Sequence, residues 1–286
     1  MSSSVVRLCA FLDLSRPVNG VIAFVSVLLG GLFAVEGQFS RLDDIGLLMA
    51  AFSALLLLSA GNTFNDYCDR EIDRTNKPRR PIPSGRILPR EALIAAIFLM
   101  AAGTTLACFV NRYVAIIALV VSASLIGYAL WLKRTPIAGN LLVGLLTGLT
   151  FIAGGAVFES LQGTLVPATF ALLFTAAREI VKDIEDTEGD LKNNARTIAV
   201  ISKSLAVLIA SIFIGGVILF SPVPYLLGWY SWRYMLIVFI GVDLVLLYLL
   251  VQLWKDASRE NSSRIQKWMK WDILVGLGAI CVGDFV

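Results

Sequence analysis

Residues 45–73 of the chain read IGLLMAAFSALLLLSAGNTFNDYCDREID. A long apolar run stands directly before four acidic side chains, Asp66, Asp69, Glu71 and Asp73. About 20 mostly apolar residues are enough to cross a bilayer as a helix. The stretch therefore predicts a membrane-spanning helix that carries carboxylates at its end.

The composition of the whole chain supports the same interpretation. Of its 286 residues, 57% are hydrophobic and only 16% are charged, and the mean hydropathy is +0.79. Soluble domains carry about a quarter charged residues, so disordered, collagen-like and water-soluble proteins are excluded. The sequence predicts an all-α polytopic membrane protein. Its net charge of +3 is too small to indicate a nucleic-acid partner.

Nine apolar stretches are candidate transmembrane helices, and we expect them to form one transmembrane domain over residues 1–286. They lie at 17–35, 45–65, 91–110, 114–132, 137–158, 165–181, 204–221, 234–253 and 271–286. With a cytoplasmic N-terminus, only Arg41, Arg112 and Arg233 fall in outside connections, as the positive-inside rule requires. Both acidic segments then lie on the cytoplasmic side of the cell membrane.

A short N-terminal segment is a candidate for a different kind of helix. Residues 4–14 predict a helix that lies in the membrane interface, because apolar side chains recur along one face. The side chains expected to face lipid are Val5, Leu8, Phe11 and Leu12.

Two acidic segments share one spacing, which is the strongest functional signal in the sequence. The pattern DxxDxxxD occurs at 66–73 and again at 183–190. At about 100° per residue, its three aspartates fall within about 60° of one helix face. Such a stripe repels itself, so a bound cation is the simplest compensation. The alternative, a solvated loop that merely follows topology rules, does not explain the repetition.

The available ligands restrict which cation could bind. The chain has no histidine, and Cys9, Cys68, Cys108 and Cys281 are scattered without a CxxC pair, so a zinc site is not expected. Oxygen ligands select hard cations such as Mg²⁺, Mn²⁺ or Ca²⁺. Two carboxylate stripes could bind Mg²⁺, and the arginines that follow them could bind a diphosphate, so the arrangement would fit a Mg²⁺-bridged diphosphate.

A basic segment follows the first acidic motif. Residues 76–86 read NKPRRPIPSGR, and three prolines stiffen this stretch. One interpretation is an ordinary cytoplasmic loop of positive charge. The other is a lid whose cations bind a diphosphate, and its candidates are Lys77, Arg79, Arg80 and Arg86.

These motifs resemble those of a known family. Asn65-xxx-Asp69-xxx-Asp73 with the NKPxxPIP run, and KDxxDxxGD over residues 182–190, are similar to the two signatures of the UbiA superfamily of intramembrane prenyltransferases. Flanking stretches, including 139–148 and 221–226, are similar to its archaeal branch, which makes digeranylgeranylglyceryl phosphate. The resemblance covers about residues 12–280.

The resemblance implies nine transmembrane helices around a central cavity with cytoplasmic cap loops, and two Mg²⁺ ions that bind an isoprenyl diphosphate. The residues that match catalytic positions are Asn65, Asp69, Asp73, Asp186 and Asp190. The implied metal ligands are the same five residues together with Asp66 and Asp183. Further implied substrate contacts are Arg16, Asn19, Tyr128, Lys133 and Lys182.

The implied reaction is Mg²⁺-dependent transfer of a geranylgeranyl group. The donor is geranylgeranyl diphosphate, and the acceptor is the sn-2 hydroxyl of geranylgeranylglyceryl phosphate. The lipid bilayer is the other expected partner, and the sequence does not indicate an obligate protein partner. Two alternatives remain open: a UbiA-type aromatic prenyltransferase of quinone or haem biosynthesis, and a membrane transporter.

Overall fold

The computed structural model describes residues 3–192 and 195–285, and eight side chains within these ranges lie outside what it describes: Ser3, Ser4, Val6, Thr75, Asn76, Arg134, Asp284 and Phe285. All the regular secondary structure of these residues is helical. The helices are α1 (Ser3–Ser15), α2 (Pro17–Ala34), α3 (Ile45–Cys68), α4 (Arg70–Asn76), α5 (Pro89–Cys108), α6 (Arg112–Leu130), α7 (Ala138–Val157), α8 (Leu165–Lys192), α9 (Ile198–Ile201), α10 (Lys203–Phe220), α11 (Val223–Leu226), α12 (Trp232–Val238), α13 (Leu244–Lys255) and α14 (Arg259–Phe285). A π-helical turn over Phe239–Asp243 joins α12 to α13.

Seven helical segments of the described residues are long and apolar enough to cross a membrane. They are Pro17–Ala34, Ile45–Cys68, Pro89–Cys108, Arg112–Leu130, Ala138–Val157, Lys203–Leu226 and Trp232–Lys255. They coincide with seven of the predicted spans, and the all-α polytopic membrane fold is confirmed. The other two predicted spans, 165–181 and 271–286, lie in α8 and α14, which carry charged segments. The count of nine spans stays a prediction.

Side chains at the helix ends explain where several helices begin. The Asp44 carboxylate accepts a hydrogen bond from the Leu47 amide at 3.1 Å and so caps α3. The side-chain oxygen Oδ1 of Asn111 caps α6 by accepting a hydrogen bond from the Tyr113 amide at 3.0 Å. The Asn111 amide group also donates to the Ala156 carbonyl at 2.8 Å. One polar side chain thus satisfies backbone groups at the ends of two helices.

The described chain forms two compact units. The first comprises Met1–Leu132 and Leu149–Thr164, and the second comprises Lys133–Gly148 and Leu165–Val286. In the first unit, α3 is the central helix and packs against α1, α2, α5 and α6. In the second unit, α8 packs against α10 and α14. The first acidic motif therefore follows the central helix of one unit, and the second motif lies on a central helix of the other.

The N-terminal segment is helical, as predicted, but one of its side chains is placed differently. Leu8 and Leu12 of α1 are exposed, whereas Phe11 is half-buried against a cluster formed by Ala10, Leu14, Ile82, Ile87 and Ala92. Phe11 therefore faces lipid only in part, because its ring also packs against this cluster, which includes Ile82 of the basic segment.

The two acidic motifs differ in backbone structure. Helix α3 ends at Cys68, and Asp69 occupies the junction before α4 begins at Arg70. The expectation of one uninterrupted helix face at 66–73 is therefore wrong, although the Asp73 amide still donates to the Asp69 carbonyl at 2.8 Å. The second motif lies within α8, which continues to Lys192 rather than ending at 181. Residues 183–190 are therefore part of one continuous helix.

A close glycine contact holds α2 against the C-terminal half of α7 within the first unit. A Cβ atom on Gly154 would lie 2.1 Å from the Val27 carbonyl oxygen, and one on Gly30 would lie 2.2 Å from the Phe151 carbonyl oxygen. Small residues let membrane helices approach this closely. Any larger residue at these positions would have to push the two backbones apart.

Substitution of Gly154 tests this contact. We expect Gly154→Ala to lower the melting temperature of the protein in detergent, since overpacking costs roughly 1–3 kcal/mol. Gly127→Ala is the matched control, because Gly127 also lies in a helix of the first unit and its Cβ would meet no atom within 4 Å. Equal melting temperatures for the two variants would contradict the proposed packing.

Candidate functional site

One guanidinium group joins two carboxylates of the first motif. Arg80 Nη1 donates to Asp66 Oδ1 at 2.9 Å and to Asp73 Oδ2 at 2.6 Å. Arg16 Nη2 donates to the same Asp66 oxygen at 2.7 Å. The side chains of Asp66 and Asp73 are only 5% and 6% exposed. Two buried negative charges are thus compensated by two arginines from distant parts of the chain.

The basic segment reaches these carboxylates through a series of turns. The Lys77 amide donates to the Asp73 carbonyl at 2.9 Å, and the Arg80 amide donates to the Lys77 carbonyl at 2.9 Å. These turns reverse the chain after α4 and return Arg80 to the end of α3. Ile82 and Ile87 are buried beneath α1 and anchor the returning segment. Local turns and apolar burial together position the cations.

Asn65 and Asp69 form a second contact in the first motif. Asn65 Nδ2 donates to Asp69 Oδ2 at 3.1 Å. The contact spans the end of α3, where Asp69 leaves the helix. The amide and carboxylate oxygens of these two side chains are the kind of donor that a hard cation prefers.

An open, basic pocket lies beside the first motif. Its volume is about 490 Å³, and it is lined by residues 77–81 together with Asp13, Arg16, Asp66 and Arg86. Arg86 Nη1 contacts Asp13 Oδ2 at 3.0 Å, and Lys77 and Arg79 are exposed. The lining contains five cationic and two anionic side chains, so the pocket favours an anionic ligand. We call it the basic pocket.

A smaller, apolar groove lies on the other side of the end of α1. Its volume is about 250 Å³, and helices α1, α3 and α5 all contribute to its walls. The residues that line it are Phe11, Leu12, Ser15, Thr63, Ala95, Phe98 and Leu99. Leu12 and Phe98 are exposed, so the groove opens to the surroundings of the protein. We call it the apolar groove.

The second motif lies along α8 in the second unit, where its carboxylates have different partners. Asp183 Oδ2 accepts a hydrogen bond from Asn140 Nδ2 at 2.7 Å. Asp190 Oδ2 accepts from Thr197 Oγ1 at 3.1 Å, and Asp186 is exposed. Asp183 and Asp190 thus receive hydrogen bonds from neutral groups.

The electrostatics of the second motif favour a cation. The pKa of Asp183 is raised to about 7, chiefly by burial, and the nearby Asp190 and Glu179 carboxylates act in the same direction. The Asn140 hydrogen bond and the Lys182 ammonium act in the opposite direction. Lys182 Nζ instead binds Glu179 Oε2 at 2.8 Å. A carboxyl group that resists ionisation among other carboxylates is an environment that a hard divalent cation would stabilise.

Three predicted site residues are not among those that line the basic pocket or the apolar groove. Asn19 is exposed on α2, Tyr128 is half-buried near the end of α6, and Lys133 is half-buried in the turn after it. Within residues 3–192 and 195–285, no group of three or more Asp, Glu or Cys side chains is arranged so that it could hold a metal ion. The donors fit a hard cation by their chemistry, and the assignment of individual metal ligands stays a prediction.

Two polar residues of these sites were not among the predicted site residues. Asp13 lines the basic pocket and pairs with Arg86, and Asn140 binds Asp183. Neither lies within the acidic motifs. Only the presence of Asn140 in an otherwise apolar span signals a specific partner, since a buried amide in a membrane helix needs hydrogen bonds.

Removal of Arg80 tests the charge compensation in the first motif. We expect Arg80→Gln to lower the melting temperature strongly. Removing one partner of a buried ion pair costs about 3–5 kcal/mol, because the other charge is left buried and uncompensated. Arg74→Gln is the matched control, because Arg74 pairs with Glu71 on the exposed surface, where a pair contributes at most about 1 kcal/mol. A similar loss in both variants would argue against the buried network. Adding Asp66→Asn to Arg80→Gln should restore part of the loss.

The sequence of the chain is similar to those of known proteins along nearly its whole length. The sequence profile of the UbiA prenyltransferase family matches residues 23–274. A digeranylgeranylglyceryl phosphate synthase from Methanococcoides burtonii is 41% identical over 281 residues, which cover 96% of this chain and 99% of that protein. These matches confirm the predicted resemblance to the superfamily and to its archaeal branch.

Solved structures agree with the sequence comparison. A structure described as giving insights into digeranylgeranylglyceryl phosphate synthase in membranes superposes with a TM-score of 0.84 at 31% identity, covering 98% of this chain and 99% of that one. A UbiA homologue from Archaeoglobus fulgidus, bound to GPP and Mg²⁺, shares the fold with a TM-score of 0.69 at 18% identity, covering 96% and 100%. By family profile, full-length identity and fold, the chain belongs to the UbiA prenyltransferase family.

Proposed function

We propose that this protein transfers a geranylgeranyl group from geranylgeranyl diphosphate to the sn-2 hydroxyl of geranylgeranylglyceryl phosphate. The product is a membrane ether lipid with two prenyl chains. The observation that carries this proposal is the 41% identity, over nearly the full length of both chains, to a digeranylgeranylglyceryl phosphate synthase. The basic pocket beside the first motif supports it, since both substrates carry phosphate.

The proposed reaction needs an electrophile and a leaving group that can be stabilised. The allylic C–O bond of the donor breaks, and its electron pair leaves with the diphosphate. The acceptor oxygen forms the new C–O bond and loses its proton to the diphosphate or to a carboxylate. Mg²⁺ held by the motif carboxylates would neutralise the charge that grows on the leaving group. Arg80, which lies at the first motif, would add to this effect.

We assign Mg²⁺ binding to the oxygen donors of the two motifs. In the first unit these are Asn65, Asp66, Asp69 and Asp73, and in the second they are Asp183, Asp186 and Asp190. The raised pKa of Asp183 supports this assignment, because a bound cation would relieve the repulsion among its carboxylate neighbours. The proposal includes two ions, as the family resemblance implies.

The apolar helices have a separate task in this proposal. An allylic cation reacts rapidly with water, so the reacting carbon must be kept in dry surroundings. The membrane-spanning segments are rich in Leu, Ile, Val and Phe, and they supply such walls. The chain also carries no histidine, and the proposed reaction needs no strong general base once the C–O bond has broken.

Neutralising one carboxylate in each motif tests the metal assignment. We expect Asp69→Asn and Asp186→Asn each to lower geranylgeranyl transfer by at least about 100-fold, because each removes a charged Mg²⁺ ligand. The measurement uses purified protein in liposomes with radiolabelled geranylgeranyl diphosphate and geranylgeranylglyceryl phosphate. EDTA should abolish transfer by the wild-type protein, and added Mg²⁺ should restore it.

Two matched variants control for the loss of charge alone. Asp43→Asn lies in the first unit and Glu188→Gln lies on α8, and both side chains are exposed outside the proposed ligand set. Both controls should retain near-normal transfer. Near-normal turnover by Asp69→Asn or Asp186→Asn at saturating Mg²⁺ would remove that residue from the metal site. Transfer only to an aromatic acceptor would keep the chemistry and reject the proposed acceptor.

We further propose that the N-terminus and both acidic motifs face the cytoplasm. The distribution of basic residues supports this orientation, since Arg41, Arg112 and Arg233 are the only ones expected outside.

Two native cysteines allow this orientation to be measured. Cys9 on α1 and Cys108 at the end of α5 are both exposed, and the predicted topology puts them on opposite sides. In single-cysteine variants, we expect a membrane-impermeant maleimide to label Cys9 only in inverted vesicles and Cys108 only in intact cells. Detergent-solubilised protein, in which both should react, is the control. The reverse labelling pattern would invert the topology.

A further inference from the structure

We propose that the first unit carries a binding site for the lipid acceptor, formed by the basic pocket and the apolar groove together. In this site, Lys77 and Arg79 bind the acceptor phosphate, and the apolar groove holds the part of the prenyl chain nearest the glycerol. The inference rests on the proposed function and specifies which substrate these residues recognise.

The ion pairs in the basic pocket separate two kinds of cation. Arg16 and Arg80 are held by the carboxylates of the first motif, and Arg86 is held by Asp13. Lys77 and Arg79 are exposed and form no ion pair within the described residues. These two side chains are therefore the cations of the pocket that can accept a new anion without breaking an existing pair.

The charge of these two cations matches that of a phosphate monoester. Such a group carries about −1.5 to −2 charges near pH 7 and offers three acceptor oxygens. Arg79 can bind two of these oxygens through its planar guanidinium, and Lys77 supplies a compact second charge. The donor diphosphate, in contrast, is expected to be bound with Mg²⁺ at the motif carboxylates. The two phosphate-bearing substrates then have different recognition groups.

The apolar groove supplies what a lipid acceptor needs beyond its phosphate. Residues at the end of α1 contribute to both sites, with Asp13 facing the pocket and Leu12 and Ser15 lining the groove. Because Leu12 and Phe98 are exposed, a prenyl chain can enter from the bilayer. A ligand with one anionic end and one apolar chain can therefore occupy both sites at once. Among the two proposed substrates, the acceptor has the phosphate monoester.

A kinetic test separates acceptor recognition from donor recognition. We expect the double variant Lys77→Gln/Arg79→Gln to raise the KM for geranylgeranylglyceryl phosphate by about tenfold or more, since charged hydrogen bonds to the phosphate are lost. The KM for geranylgeranyl diphosphate should change less than about twofold. Arg74→Gln/Arg90→Gln is the matched control, with the same loss of charge from exposed side chains outside the pocket.

A second pair of variants tests the groove by itself. Ala95→Phe fills the groove, and we expect it to raise the KM for the acceptor lipid while leaving inhibition by glycerol phosphate unchanged. Lys77→Gln/Arg79→Gln should raise the KM for the acceptor lipid and also weaken inhibition by glycerol phosphate, because the phosphate headgroup needs these cations with or without a prenyl chain. Ala101→Phe is the control, since Ala101 is exposed on the same helix and does not line the groove.

The outcomes distinguish this inference from the proposed function. Transfer by the wild-type protein, combined with a raised KM for the donor and not the acceptor in Lys77→Gln/Arg79→Gln, would assign the cations to the diphosphate and overturn the inference. Unchanged KM values for both substrates would overturn it as well. If the wild-type protein transfers nothing to this acceptor, the proposed function fails, and calorimetric binding of the acceptor lipid to purified protein decides the site separately.

Discussion

The structure around the first motif depends on the compensation of buried negative charge. Asp66 lies near the end of the apolar helix α3, and Asp73 lies in the short helix α4 that follows it. An isolated buried carboxylate at a membrane boundary would be costly. Arg80 binds both, and it can do so because the chain reverses after α4 and returns. The burial of Ile82 and Ile87 under α1 anchors the same returning segment, so apolar packing and the Arg80 contact act together. Arg80 and Asp66 also line the basic pocket.

The same acidic pattern is treated differently in the two units. In the first unit, arginines of the same unit neutralise the motif, and the helix breaks at Asp69. In the second unit, α8 continues through the motif, and Asp183 is bound by a neutral amide. Burial raises the pKa of Asp183, although the Asn140 hydrogen bond and the Lys182 ammonium lower it. The sequence repeat is therefore a repeat of donor atoms, set in two different backbone structures.

Much of the fold could be predicted because each bilayer-spanning helix requires a long run of apolar residues, which is visible in the sequence. Seven predicted spans coincide with apolar helices, and the short helix α1 was also predicted. The acidic motifs were recognised from their spacing and the cations of residues 77–86 from their charge, whereas Arg16 was named from the family resemblance. The partners were not, because Arg80 with Asp66, Arg86 with Asp13, and Asn140 with Asp183 meet only after the chain has folded. Helical periodicity likewise could not show that Asp69 leaves the helix or that Phe11 packs inward.

The placement of α1 between the basic pocket and the apolar groove has a consequence for selectivity. The residues that line the two sites are neighbours on one helix, and one helical turn spans about 5 Å. In the proposed acceptor site, the distance between the charged and apolar parts of a bound lipid would therefore be set by neighbouring residues of α1. A lipid with a bulkier polar headgroup would place its phosphate or its chain out of reach. Discrimination among membrane lipids can then arise from length alone, without any hydrogen bond that reads the identity of the headgroup.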